Sequence, residues 1–297
     1  VRTHRAPALA VLVGALAWVG GTGYIAHRMT ARREPDPPDR PDHHGVACED
    51  VAFPARDGTL LRGWWLPASP GAPTVVVAPG QAGSADGDVG AAVRLAQEGF
   101  NVLLFDFRAH GRSAGERVTL GYGEVFDLRG ALDWLAERGI VRAGVLGFSM
   151  GGAVAITTAA LDARVGAVVA DCPFVRVRTV LAAGLRSVGL PAWMASWAAR
   201  QALLWADLTL DVALEVAEPA RWASAVRAPL LVVQAGRDRF VPAEEIRWLR
   251  EAVPAPCEVW CVAEADHREA MWLYPEVYWE RVSGWFRRHL SRGKEQP

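Results

Sequence analysis

The chain has 297 residues, 51% hydrophobic and 22% charged, with a formal net charge of −1 at neutral pH. That composition supplies a sizeable core, and no long low-complexity tract interrupts it, which excludes a disordered or fibrous protein. Without a basic stripe interleaved with aromatics, nucleic acid is excluded as the expected partner, and a small molecule takes its place.

Residues 8–26, ALAVLVGALAWVGGTGYIA, form an uncharged, mostly apolar stretch of 19 residues. A membrane-spanning helix needs about 20. No small-x-small cleavage site follows in HRMTARRE, so the pattern predicts a single-pass N-terminal anchor over residues 1–30 rather than a cleaved signal. Arg2 and Arg5 face Arg28, Arg32 and Arg33 across the stretch, and the positive-inside rule therefore chooses no side of the membrane. Residues 31–45 are rich in Pro and Asp and predict an extended linker that holds a globular domain, residues 46–297, away from the bilayer. His43 and His44 in that linker read as solvated side chains.

Beyond the linker, VACEDVAFPA and LLRGWWLPA flank Asp57-Gly58 as an antiparallel opening pair. TVVVAPG, NVLLFDF, AGVLGFS, GAVVADCPF, PLLVVQAG and CEVWCVAEA follow as short apolar strands, separated by helical stretches such as VGAAVRLAQEG and PAEEIRWLREAV. This alternation predicts an α/β fold with a mostly parallel central sheet flanked by helices on both faces. Four cysteines make no disulfide framework in a chain of this length. Cys257 and Cys261 share a strand face about 13 Å apart, too far to bridge, and all four cysteines read as buried small hydrophobes. No metal or organic cofactor is expected.

In sheets of this kind ligands gather at the carboxyl ends of the strands. Ser149, Asp238 and His267 each stand at such an end. The segment GVLGFSMGG (144–152) sets Ser149 on a sharp turn between an apolar strand and a small-residue helix. A serine hydroxyl is a weak nucleophile until a neighbouring base takes its proton, and the turn lifts its oxygen clear of the sheet. Gly147 and Gly151 occupy positions where a side chain would strike the backbone. The helix N-terminus adds oriented N–H groups, so the amide of Met150 can donate to a developing oxyanion.

With Gly-Phe-Ser-Met-Gly at 147–151, GRDRFVP at 236–242, EADHREA at 264–270 and FDFRAHGRSAGE at 105–116, the chain resembles the α/β-hydrolase family from about Val46 to Leu290. The resemblance implies a catalytic triad in the chain order Ser149, Asp238, His267, with Asp171 as the rival acid, expected near the site mouth. It implies a scaffold role for His110, while Asp106 and Arg108 read as an ion pair or turn bracing. The family commonly carries His-Gly after the strand TVVVAPG, where this chain has Pro79-Gly80-Gln81. By position, the Gln81 amide becomes the second oxyanion donor.

Between about 174 and 219 the alternation breaks into an Ala-, Leu- and Trp-rich helical cap. Trp193 and Trp197 lie one turn apart, Leu204 and Trp205 continue the stripe, and this apolar face either packs the cap on the core or points toward substrate or toward lipid. The resemblance implies a serine hydrolase that cleaves carboxylic esters through an acyl-enzyme; an apolar cap face at the site predicts an apolar acyl or alcohol part, and the nearby anchor adds lipid-derived esters to the expected substrates. Peptidase, thioesterase and acyltransferase activities share the fold. Few acidic cap residues argue against an aminopeptidase, and Ser at 149 argues against the dehalogenase and epoxide-hydrolase branches. A membrane-tethered binding protein without turnover is the alternative from another class.

Overall fold

The computed structural model describes residues 5–290, with the side chains of residues 5–9 and 11 outside the description. In chain order the helices and strands are α1 (Arg5–Thr30), β1 (Glu49–Pro54), β2 (Leu60–Leu66), β3 (Thr74–Ala78), α2 (Val89–Gln97), β4 (Asn101–Phe105), α3 (Tyr122–Ala136), β5 (Ala143–Phe148), α4 (Met150–Leu161), β6 (Val165–Asp171), α5 (Val177–Ser187), α6 (Ala192–Leu210), α7 (Pro219–Trp222), β7 (Leu230–Ala235), α8 (Ala243–Ala252), β8 (Cys257–Val262), α9 (Ala270–Leu273) and α10 (Pro275–Leu290). The strands form one eight-stranded sheet in the order β1-β2-β4-β3-β5-β6-β7-β8. β1 pairs antiparallel with β2 and β2 with β4, while every pairing from β4 through β8 is parallel.

The central strands are buried on both faces, which is why β3, β5 and β6 read as continuous apolar runs rather than alternating ones. One core lies on each face. The first gathers Phe53, Phe105, Leu128, Val145 and Ile156, and the second Val77, Leu104, Leu146, Tyr278 and Phe286. α4 packs against β5 and β6 with nearly all of its residues buried, and its Gly and Ala content is what lets it approach the sheet so closely.

The N-terminal expectations change here. Among the described residues no helix is long and apolar enough to cross a membrane. The stretch 8–26 lies within α1, and the side chains of residues 8, 9 and 11 fall outside the description. From Trp18 onward α1 packs on the domain: Trp18 stacks on Trp197 of α6 with ring centroids 4.8 Å apart, and Thr22, Ala26 and Thr30 are buried.

The following residues are not a spacer either. Arg32 donates to the carbonyls of Gly111, Ser113 and Gly115, and the Arg33 N–H donates to the Ala109 carbonyl. The Asp36 carboxylate accepts from the Ser84 N–H at 2.7 Å, and the Asp39 N–H donates to Asp86 at 3.1 Å. His44 contacts Asp39 at 2.8 Å, so it is partnered rather than merely solvated. Proline stiffens this segment, but its carboxylates and arginines find partners on the domain surface and fasten it there.

Candidate active site

Ser149 occupies the turn between β5 and α4 with φ +50° and ψ −110°, a conformation a non-glycine residue holds only when its surroundings impose it. Those surroundings are specific. The Ser149 N–H donates to the Asp171 carbonyl at the end of β6, 2.8 Å away. A Cβ on Gly147 would run into the Gly151 carbonyl, and one on Gly151 into the carbonyls of Ala78 and Pro79, so both positions exclude side chains.

His267 follows β8 and Asp238 follows β7. The His267 Nε2 lies 3.0 Å from the Ser149 Oγ and its Nδ1 lies 2.7 Å from the Asp238 carboxylate. With Nδ1–H donating to Asp238, Nε2 is left to accept the serine proton. The other Asp238 oxygen accepts from the N–H groups of Phe240 and Val241, at 2.8 and 3.1 Å. Burial alone would raise the Asp238 pKa, but the His267 contact and these two N–H groups hold it below the ordinary carboxylate range. The Phe240 ring stands edge-on to the imidazole, its centroid 5.3 Å away.

A cavity of about 240 Å³ opens at Ser149, lined by Met29, Gln81, Leu120, Met150, Phe174, Val177, Val180, Leu181, Gly184, Leu185 and Phe240. Its walls are apolar apart from the Gln81 side chain and the Ser149 end. The Met150 N–H is the first of α4 and has no intrahelical acceptor. The Gln81 N–H meets no protein acceptor among the described residues. Gly80 is close against Ser149, since an added Cβ would lie 3.8 Å from the serine Cβ. The loop is held from both sides: His110 Nε2 is 2.9 Å from the Gln81 carbonyl, and the Gln81 side-chain amide donates to the Met29 carbonyl at 2.9 Å.

Several expected roles change. Trp193 and Trp197 are not among the cavity residues; Trp193 is exposed, and Trp197 packs on Trp18. Asp171 does not reach the imidazole and is not at the site mouth. It is fully buried, its Oδ2 accepts from the Tyr278 hydroxyl at 2.8 Å, and burial raises its pKa. Asp106 and Arg108 do not pair with each other. Asp106 accepts from the N–H groups of Ala85 and Arg112, and Arg108 forms ion pairs with Asp127 at 2.6 Å and Asp57 at 2.7 Å. Of the cysteines only Cys172 is buried, Cys261 is exposed, and none forms a disulfide.

Three residues missed in the sequence complete the surroundings. Arg268, next to His267 and at φ +63°, pairs with buried Asp88 and reaches toward Gly80. Met29 comes from the N-terminal helix. Cys172 Sγ, Asp238 and His267 offer ligand atoms within 4.8 Å of one another, the one such group among the described residues. They make a poor metal site: Asp238 and His267 already bond to each other, and burial followed by the charge of Asp171 pushes the Cys172 thiol well above its usual pKa.

The profile of the alpha/beta hydrolase family matches residues 75–281, and the chain belongs to that family. It is 32% identical over 228 residues to an uncharacterized protein of Mycobacterium tuberculosis, covering 75% of this chain and 73% of that one. It is 34% identical to the polyketide transferase grgF of a Penicillium species over 132 residues, covering 42% of this chain and 45% of that one. Among solved structures, the Pyrococcus furiosus esterase Pf2001 superposes with a TM-score of 0.74 at 27% identity, covering 88% of this chain and 98% of that one. The general reading of a hydrolase with esterase neighbours follows from these likenesses together with the fold.

Proposed function

We propose that the protein is a serine esterase that hydrolyses carboxylic esters with an apolar acyl or alcohol part. The observation that carries this is the continuous chain Ser149 Oγ, His267, Asp238, with contacts of 3.0 and 2.7 Å, at the end of an apolar cavity. His267 takes the Ser149 proton as the oxygen attacks the ester carbonyl. The new C–O bond forms a tetrahedral oxyanion that the Met150 and Gln81 N–H groups receive. As the intermediate collapses, His267 protonates the departing alkoxide and the acyl-enzyme remains. Water, deprotonated by the same imidazole, then releases the acid and restores the serine. Asp238, kept ionised by its N–H partners, holds the imidazole tautomer and stabilises the imidazolium.

A second reading, transfer of the acyl group to an alcohol or amine instead of water, draws on the likeness to the Penicillium polyketide transferase. Both readings share the acyl-enzyme. The test is fluorophosphonate labelling of the full chain with parallel assays of 4-nitrophenyl esters of increasing acyl length. Labelling and turnover that disappear in Ser149→Ala are expected. A folded protein that neither labels nor turns over is instead a binding protein, and product ester formed in the presence of an added alcohol selects the transferase.

A further inference from the structure

α5 has two faces with different chemistry. Val177, Val180, Leu181, Gly184 and Leu185 line the cavity at Ser149. Arg178, Thr179, Ala182, Ala183 and Arg186 line a second cavity of about 340 Å³, which Ser196 and Arg200 of α6 also line. None of Arg178, Arg186 and Arg200 forms an ion pair with a described residue, in contrast to Arg176, which meets Glu245 at 2.8 Å. Residues 175–206 contain those four arginines and no Asp or Glu. Three unpaired guanidinium groups around one cavity repel each other, and their planar forks match anionic acceptors, lipid phosphates among them.

Arg200 also belongs to an outward stripe on α6. Trp193, Trp197, Leu204 and Leu208 recur at helical spacing within an arc of about 60°. Trp193 is 71% and Leu208 74% exposed. α1 packs beside this stripe and then projects beyond it. Residues 12–17, LVGALA, are exposed on every side of the helix, with Leu12, Val13 and Leu16 on one side and Gly14 and Ala15 on the other. A protein partner covers one face of a helix; an uncharged helix that is apolar all round suits an apolar solvent.

We propose that the projecting part of α1, the outward stripe of α6 and the arginine cavity together dock the protein onto an anionic lipid bilayer. Trp rings and apolar side chains enter the interfacial layer while the arginines engage lipid phosphates, the pattern of interfacial helices. α1 lies along the surface rather than crossing it. Among the described residues no helix is long and apolar enough to cross a membrane. Because Met29 at the far end of α1 and the inner face of α5 wall the Ser149 cavity, an apolar ester would enter directly from the membrane. This last step rests on the esterase reading; the docking does not.

Flotation of the full-length Ser149→Ala chain with phosphatidylcholine vesicles containing about a third phosphatidylglycerol tests the docking without turnover. Strong co-flotation is expected, falling about tenfold on pure phosphatidylcholine or in the triple variant Arg178→Gln, Arg186→Gln, Arg200→Gln. The double variant Leu16→Ser, Trp193→Ser is expected to lose binding to both vesicle types while keeping the parent melting temperature. In the Ser149 background both variants should keep turnover of a soluble acetyl ester, so loss of esterase activity and loss of docking are separate results. The proposal is overturned if the parent does not float, or if both variants float like it. A lipid-free dimer that the double variant abolishes, without vesicle binding, assigns the face to a second copy. Stabilisation by inorganic phosphate that the arginine variant abolishes, again without vesicle binding, assigns the cavity to a soluble phosphate.

Discussion

At the residue scale, the site is a set of side chains each fixed by the backbone of a different strand end. Ser149 is held at positive φ by its bond to Asp171, and Asp238 is held by the N–H groups two and three residues after it. Asp238→Asn tests the role of the charge separately from that of the shape. The amide can still accept from Phe240 and Val241, but it presents either an N–H or a poorer acceptor to His267 Nδ1. We expect a folded protein whose kcat falls by about three to four orders of magnitude, measured on a short-chain nitrophenyl ester. A loss of less than tenfold would mean that His267 takes its orientation from elsewhere. Ser149, Gly147 and Gly151 were legible in the sequence because a sharp turn against neighbouring backbone restricts residue type at each position. The setting of Asp171 was not. It depends on Tyr278, 107 residues later in the chain, arriving behind the sheet on α10.

Elements show where periodicity informs and where it misleads. The two faces of α5 follow from its spacing, but nothing local tells which of them meets the site. In α6 the large residues left the site, the core and lipid open as what their stripe meets; the buried face is Ala195, Ala198, Ala199, Ala202, Leu203 and Ala206, and the tryptophans face outward. Small residues allow close approach of α6 to its neighbours, so packing distance outweighed side-chain size in choosing the buried side. The cap is also tied down electrostatically. Glu218 accepts from the Val177 N–H at the start of α5, 2.6 Å away, and burial pushes its pKa from 4.5 up to about 7. A carboxyl group with a folded-state pKa above its unfolded value gives a stabilising contribution that is complete below pH 4.5 and lost as pH rises through about 7. Melting temperatures should therefore fall between pH 5 and 8 by a few degrees more in the parent than in Glu218→Gln. Identical pH profiles would show that Glu218 is ionised throughout.

The whole molecule is less divisible than its sequence suggests. Composition changes sharply near residue 45, and a domain cut there looks complete, because the sheet, the triad and the cap all follow. The three-dimensional arrangement places the preceding segment inside the working unit. α1 supplies Met29 to the cavity wall and its carbonyl to the Gln81 amide, and Arg32, Arg33, Asp36 and Asp39 fasten the next segment to loops that carry Asp86, Ala109 and Ser113. Removing residues 1–45 would uncover Trp197, open one wall of the cavity and free one side of the loop that bears Gln81. We expect the truncated chain to melt several degrees below the full chain and to hydrolyse acetyl esters at a rate within about tenfold, because Ser149, Asp238 and His267 all remain. Its discrimination between hexanoyl and acetyl esters should shrink, since an acyl chain gains affinity only where an apolar wall takes it out of water. The ratio of kcat/KM values for the two esters, compared between full and truncated chains, measures this directly. An unchanged ratio and melting temperature would return the N-terminal segment to the status of a tether.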